Sequence, residues 1–119
     1  MKHFSKQKLL SYNRIEHTYF AIDEKDTLDI ISNLLSEKKY TITEKAENKV
    51  SLQKGNKFVG RLLGVAAHYH AIEILVKAEM NGFLTLWLNH KNRPLFNTKF
   101  SRQRVEEEIK SVSKILQNF

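Results

Sequence analysis

Ile72–His90, IEILVKAEMNGFLTLWLNH, is the stretch whose pairing decides the fold. Two apolar runs flank Met80, Asn81 and Gly82, and they can pair in two registers. A two-residue Asn81-Gly82 turn pairs Met80 with Phe83. It sets Ile74 opposite Asn89 and Val76 opposite Trp87, which mixes leucines and charges on one face. A three-residue loop pairs Glu79 with Phe83 instead. Ile74 then faces Leu88, Val76 faces Leu86 and Ala78 faces Leu84, giving one continuous apolar face. A slip of one residue turns every side chain to the other side of a strand, so the second register is predicted. Gly82 is expected to take the left-handed position of a type I turn with a bulge. The opposite face carries Glu73, Lys77 and Glu79, with Leu75 beside Trp87.

The pattern extends outward on both sides. After Pro94, Ser101 is expected to cap a last helix whose apolar residues are Val105, Ile109, Val112 and Leu116, with Glu106–Glu108 in its first turn. Upstream, Tyr40–Lys45 and Lys49–Gly55 read as a hairpin, with Tyr40, Ile42, Val50 and Leu52 sharing its buried face. Lys57–Leu63 reads as a further strand or an irregular crossing. His17–Ile22, HTYFAI, reads as the first strand. A helix follows from Thr27, with Leu28, Ile31, Leu34 and Leu35 on one face, Asp26 as its cap, Asp29 as a weak capping-box partner, and Lys38 and Lys39 at its carboxyl end. The expectation is a single α+β domain over residues 15–119, preceded by a basic arm over 1–14. Its antiparallel sheet, of about four to six strands, is packed on one face by two amphipathic helices.

The chain has 119 residues, 41% of them hydrophobic, which suits one domain with a real core and excludes a disordered segment. It contains no cysteine, so thiol catalysis, thiolate metal sites and disulfides are all excluded, and a reducing cytoplasmic location is favoured. The amino terminus lacks the pattern of a signal peptide. The most apolar stretch, Phe58–Val76, is interrupted by Arg61, His68 and His70, so no transmembrane segment is expected.

Charge is unevenly distributed. The formal net charge is +7. Residues 1–15, 48–72 and 80–105 hold 13 of the 20 basic residues and no acid, leaving seven bases against all 13 acids elsewhere. Aromatic residues interleave with these bases, among them Tyr12, Tyr69 and Phe100. Such segments suit an anionic partner, whether nucleic acid, acidic protein or membrane surface. Arg93, Lys99, Arg102 and Arg104 are the candidate anion-binding group, since they flank Pro94 and the start of the last helix.

Three further features bear on chemistry. Gly55-x4-Gly60-Arg61-Leu62 has the glycine spacing of a phosphate loop, but Arg and Leu replace the Lys and Ser/Thr that carry the chemistry, so no nucleotide is expected. His68 and His70 have strand spacing, and the predicted register makes His90 a diagonal neighbour of His70. These three are candidate metal ligands. The reading of the sequence is nevertheless that they form a wet rim without metal, because no nearby acid supplies a further ligand. Leu75, Phe83 and Trp87 are a candidate partner-binding patch on the outer hairpin face. The expected function is therefore a non-catalytic binding or accessory protein with no cofactor. One alternative is a small metal-independent ribonuclease using histidine acid–base chemistry. Another is a protein–protein or self-association module built on the Leu75–Trp87 face.

Overall fold

The computed structural model describes residues 3–55, 70–91 and 99–119, with only the backbone described for Lys99–Ser101. Six strands form one antiparallel sheet: β1 (Phe4–Ser11), β2 (Arg14–Phe20), β3 (Thr41–Lys45), β4 (Lys49–Lys54), β5 (His70–Ala78) and β6 (Phe83–His90). Their order across the sheet is β1-β2-β6-β5-β4-β3. Among the described residues two α-helices, α1 (Glu24–Ser36) and α2 (Lys99–Leu116), lie against the same face. The chain is a small α+β domain.

The central hairpin follows the three-residue register. Ile74 pairs with Leu88, Val76 with Leu86 and Ala78 with Leu84, and Glu79 N–H donates to Phe83 O at 2.8 Å. Ile72, Ile74, Val76, Leu84, Leu86 and Leu88 are all buried, so the apolar face seen in the sequence is the core face. The turn differs in one respect. Asn81 (φ 66°) is left-handed as well as Gly82 (φ 80°), a conformation that asparagine tolerates and glycine takes freely. Between strands β2 and β5, β6 is central, and β2 brings Ile15 and Tyr19 to the same core.

Helix α1 begins earlier than expected. Asp23, in extended backbone, accepts from Asp26 N–H at 2.7 Å through its carboxylate and is the cap; Asp26 lies inside the first turn. Lys38 and Lys39 lie just past the last turn. Lys39 is left-handed (φ 71°), and Tyr40 N–H closes the helix on Leu35 O. Leu28, Ile31 and Leu35 face the sheet. Ser101 is inside α2 rather than at its cap, so Glu106–Glu108 fall well beyond the first turn. Val105, Ile109, Val112 and Leu116 are buried as the spacing required.

The β3–β4 hairpin is irregular where the alternation was expected to continue. A register shift between Ile42 and Glu44 interrupts the pairing of β3 with β4, and Ile42 is 39% exposed although Tyr40, Val50 and Leu52 are buried. Residues 4–11 of the expected basic arm form the edge strand β1, paired along β2. The expected first strand is displaced too, running Arg14–Phe20 rather than His17–Ile22. Lys57–Leu63, the phosphate-loop-like glycines beyond Gly55, His68 and Arg93 lie outside the described residues.

Candidate functional site

The strand register collects basic residues at one end of the sheet. Arg14 starts β2 opposite Asn89, and Lys54 ends β4 opposite His70. Lys91 N–H donates to Ala71 O, and His90 N–H donates to Asn13 O in the β1–β2 turn. Helix α2 starts at this end as well, with the Arg102 guanidinium 5.3 Å from the Tyr12 ring centre. Each of the three acid-free stretches thus contributes to the same end. Arg14 donates to Asn89 Oδ1 at 2.8 Å, and Lys91 lies 3.7 Å from Glu73. Of the predicted anion-binding group, Arg102 is exposed, Arg104 is half-buried, and Lys99 opens α2.

The other end is acidic. An open cleft of about 640 Å³ is lined there by Asp23, Asp26, Asp29 and Glu79, together with Phe83. The Phe20 and Phe83 rings meet beside it in a tilted contact, with ring centres 5.2 Å apart. The two ends of the sheet's strands therefore gather opposite charge.

Just under the basic end lies a buried polar cluster. His70 Nδ1 is 2.9 Å from His90 Nε2, and both residues are buried. This corrects the expectation of a wet rim: the two rings occupy the last inward positions of β5 and β6 and face α2. It also corrects the expectation that no acid is near, because Glu108 of α2 reaches the pair, its Oε2 lying 3.9 Å from His70 Nε2. Glu108 Oε1 accepts from the Tyr40 hydroxyl at 2.7 Å and from Lys54 Nζ at 2.6 Å. Lys54 in turn sits 5.2 Å from the centre of the Tyr40 ring. Burial alone would raise the Glu108 carboxyl. The hydrogen bonds from Lys54 and Tyr40, with the charges of His70 and Lys54, outweigh that and hold it below the usual carboxylate range. Burial and the neighbouring His70 push His90 down to about 4. Among the described residues no three side chains are grouped to hold a metal ion.

A second cluster ties the sheet to the end of α2. His17 Nε2 is 2.7 Å from Ser113 Oγ, and His17 Nδ1 is 2.9 Å from the Tyr19 hydroxyl. That hydroxyl donates to Leu116 O at 2.7 Å. Ser113 also meets Gln7 of β1 at 2.7 Å. Burial lowers His17 to about 4 and raises Tyr19. A serine beside a histidine is the chemistry of a nucleophile, but His17 and Ser113 are 0% and 1% exposed and no substrate could reach them. The cluster is a strut.

Sequence reasoning placed His70 beside His90 but missed Glu108, and it missed the His17 cluster altogether. Glu108 carried a usable signal: it stands three residues after Val105 and four before Val112, on the flank of the apolar stripe. His17 and Tyr19 share a face with Ile15 by strand alternation, which was equally readable.

The outer face of the sheet carries the predicted patch. Leu75 pairs with Trp87, and both are half-buried by their neighbours, while Phe83 is exposed. The Trp87 indole N–H donates to Glu16 Oε1 at 3.1 Å. Among the described residues no helix covers this face. Compared with known proteins, the chain matches no protein-family model and no curated sequence. Among the described residues, no helix is long and apolar enough to cross a membrane.

Proposed function

We propose that the chain is a cytoplasmic, non-catalytic binding or accessory protein that engages an anionic partner through the basic end of its sheet. The observation that carries this reading is the convergence of three acid-free stretches at that end, with Arg14, Lys54, Lys91 and Arg102 brought together by strand register and helix placement. Acids gather at the far end, so the dipole of the domain orients an approaching polyanion. The exposed Tyr12 ring beside Arg102 adds a surface on which a base or apolar group can rest.

The histidine ribonuclease is the weaker reading. A general acid and base must reach the substrate, whereas His70 and His90 are 6% and 3% exposed and bonded to each other. His90, held near 4, is also neutral at pH 7 and lacks the imidazolium proton that a general acid gives up. The interaction module on Leu75 and Trp87 has an open sheet face in its favour, although the indole N–H is already satisfied.

The test is binding of a fluorescein-labelled single-stranded oligonucleotide, followed by anisotropy over a range of salt. The expected result is affinity that falls with a log–log slope of about 0.7 per phosphate contact. Arg14→Glu with Arg102→Glu should weaken binding and flatten that slope, with the circular dichroism spectrum unchanged. Salt-independent binding that ignores this double reversal would refute the reading and point to the Trp87 face.

A further inference from the structure

The edge strand β1 combines three features that together describe a partner. Among the described residues no strand lies beyond it. Its outward backbone groups can be identified from three hydrogen bonds. Phe20 N–H donates to His3 O on the β1 side, whereas Ala21 N–H donates to Gly82 O and Asn13 O accepts from His90 N–H on the β6 side. Backbone direction alternates along β2, so Thr18 and Glu16 turn toward β1 and His17 and Ile15 turn toward β6. Lys6 and Lys8, opposite Thr18 and Glu16, are then the residues bonded to β2. Gln7 and Leu9 direct their N–H and C=O groups away from the sheet. Nearer the start of the strand, Phe4 N–H is already taken by Phe119 O at 2.8 Å. A backbone carbonyl is thus already accepted at one point of this edge.

Side chains add the second and third features. Leu9, Leu10 and Tyr12 are 54%, 40% and 38% exposed, a concentration of apolar surface within four residues. Lys6 and Lys8 project from the face that carries no helix, since they stand opposite Thr18 and Glu16. Glu16, the nearest acid, is engaged by the Trp87 indole.

We propose that β1 is a strand-addition edge that takes an extended peptide segment alternating acidic and apolar residues, its acids over Lys6 and Lys8 and its apolar side chains against Leu9. Strand addition draws affinity from the main chain and selectivity from alternate side chains. A second copy of this chain does not fit, because β1 against β1 would set lysine rows side by side. The inference goes beyond the reading above, to the edge of the sheet rather than its end, and it rests on that reading in taking the partner to be anionic.

The probe is a fluorescein-labelled peptide of about eight residues alternating Asp and Val, a typical strand length. Saturable binding is expected, weakened about tenfold or more when alternate peptide amides are N-methylated, which removes hydrogen bonds but no charge. Lys6→Glu with Lys8→Glu should abolish it. Leu9→Pro should weaken it several-fold while leaving the β1–β2 ladder intact, because the Leu9 N–H is not part of that ladder. The N-methylated peptide needs no folded variant and keeps the test decisive if a substitution disturbs the sheet. Equal affinity for the N-methylated peptide would overturn strand addition. So would a concentration-dependent dimer lost in Leu9→Pro. Failure of the peptide while the oligonucleotide still binds would overturn this inference alone; failure of both would overturn the anionic-partner reading as well.

Discussion

Acidification should unfold this domain through its buried histidines, and His17 offers the cleanest measurement. Its ring is 0% exposed and neutral in the folded state, with a pKa lowered from 6.5 to about 4 by burial. The unfolded chain binds the proton first, near pH 6.5. Stability from the neutral ring is therefore complete above about 6.5, declines as pH falls, and is spent near 4. A shift of this size corresponds to on the order of 3 kcal/mol. His90, also lowered to about 4, adds a loss of the same sign in the same window. Glu108, held below the usual carboxylate range, contributes stability that disappears only at lower pH, as its carboxylate takes up a proton. Domains are stable by about 5–15 kcal/mol, so the two histidines together threaten a large share of the total. The assay is urea unfolding, followed by Trp87 fluorescence, at steps between neutral pH and about pH 4.5. The midpoint should fall steadily below pH 6.5. His17→Gln should be less stable at neutral pH yet show a shallower fall. A midpoint that stays level to pH 5, or parallel curves for parent and variant, would refute the assignment of a buried neutral ring.

Other expectations follow from the same core. Leu86→Ala should cost about 2–5 kcal/mol, because the side chain is fully buried in the central strand between β2 and β5; Thr85→Ala, on the opposite face, should cost less than about 1. A reversed ranking in urea midpoints would mean the other hairpin register. Glu108→Ala should cost about 1–3 kcal/mol by stripping Tyr40 and Lys54 of their shared acceptor, with Glu108→Gln milder because it can still accept. Equal thermal midpoints for parent and both variants would show that the cluster does not brace α2.

The hairpin register, both helix faces and the α+β class were legible because they follow from period. Alternation over Ile72–His90 admits one register with a clean apolar face, and the Val105–Leu116 spacing admits one helical face. Edges and boundaries were less legible. Strand β1, FSKQKLLS, shows little alternation because an edge strand is paired on one side only and most of its side chains meet water. That the helix cap is Asp23 rather than Asp26 depended on which of them stands in extended backbone with its carboxylate turned to an N–H, a property of the local chain path rather than of residue type. Ile42 lost its place in the core to a register shift that no residue in TITEK announces.

The functional surfaces divide along the same line. By itself the sequence determined that the bases lie in three stretches without acids, and that His70 and His90 could approach across one hairpin. It could not bring Glu108 to them, or Ser113 to His17 across 96 positions, because those contacts exist only once helix and sheet are packed. Periodicity is a local property, written in the spacing of neighbours along the chain. The joining of Arg14, Lys91 and Arg102 at one end, and the burial that holds His17 and His90 neutral, come from assembling the sheet and laying both helices on it, where distant side chains exclude water from one another.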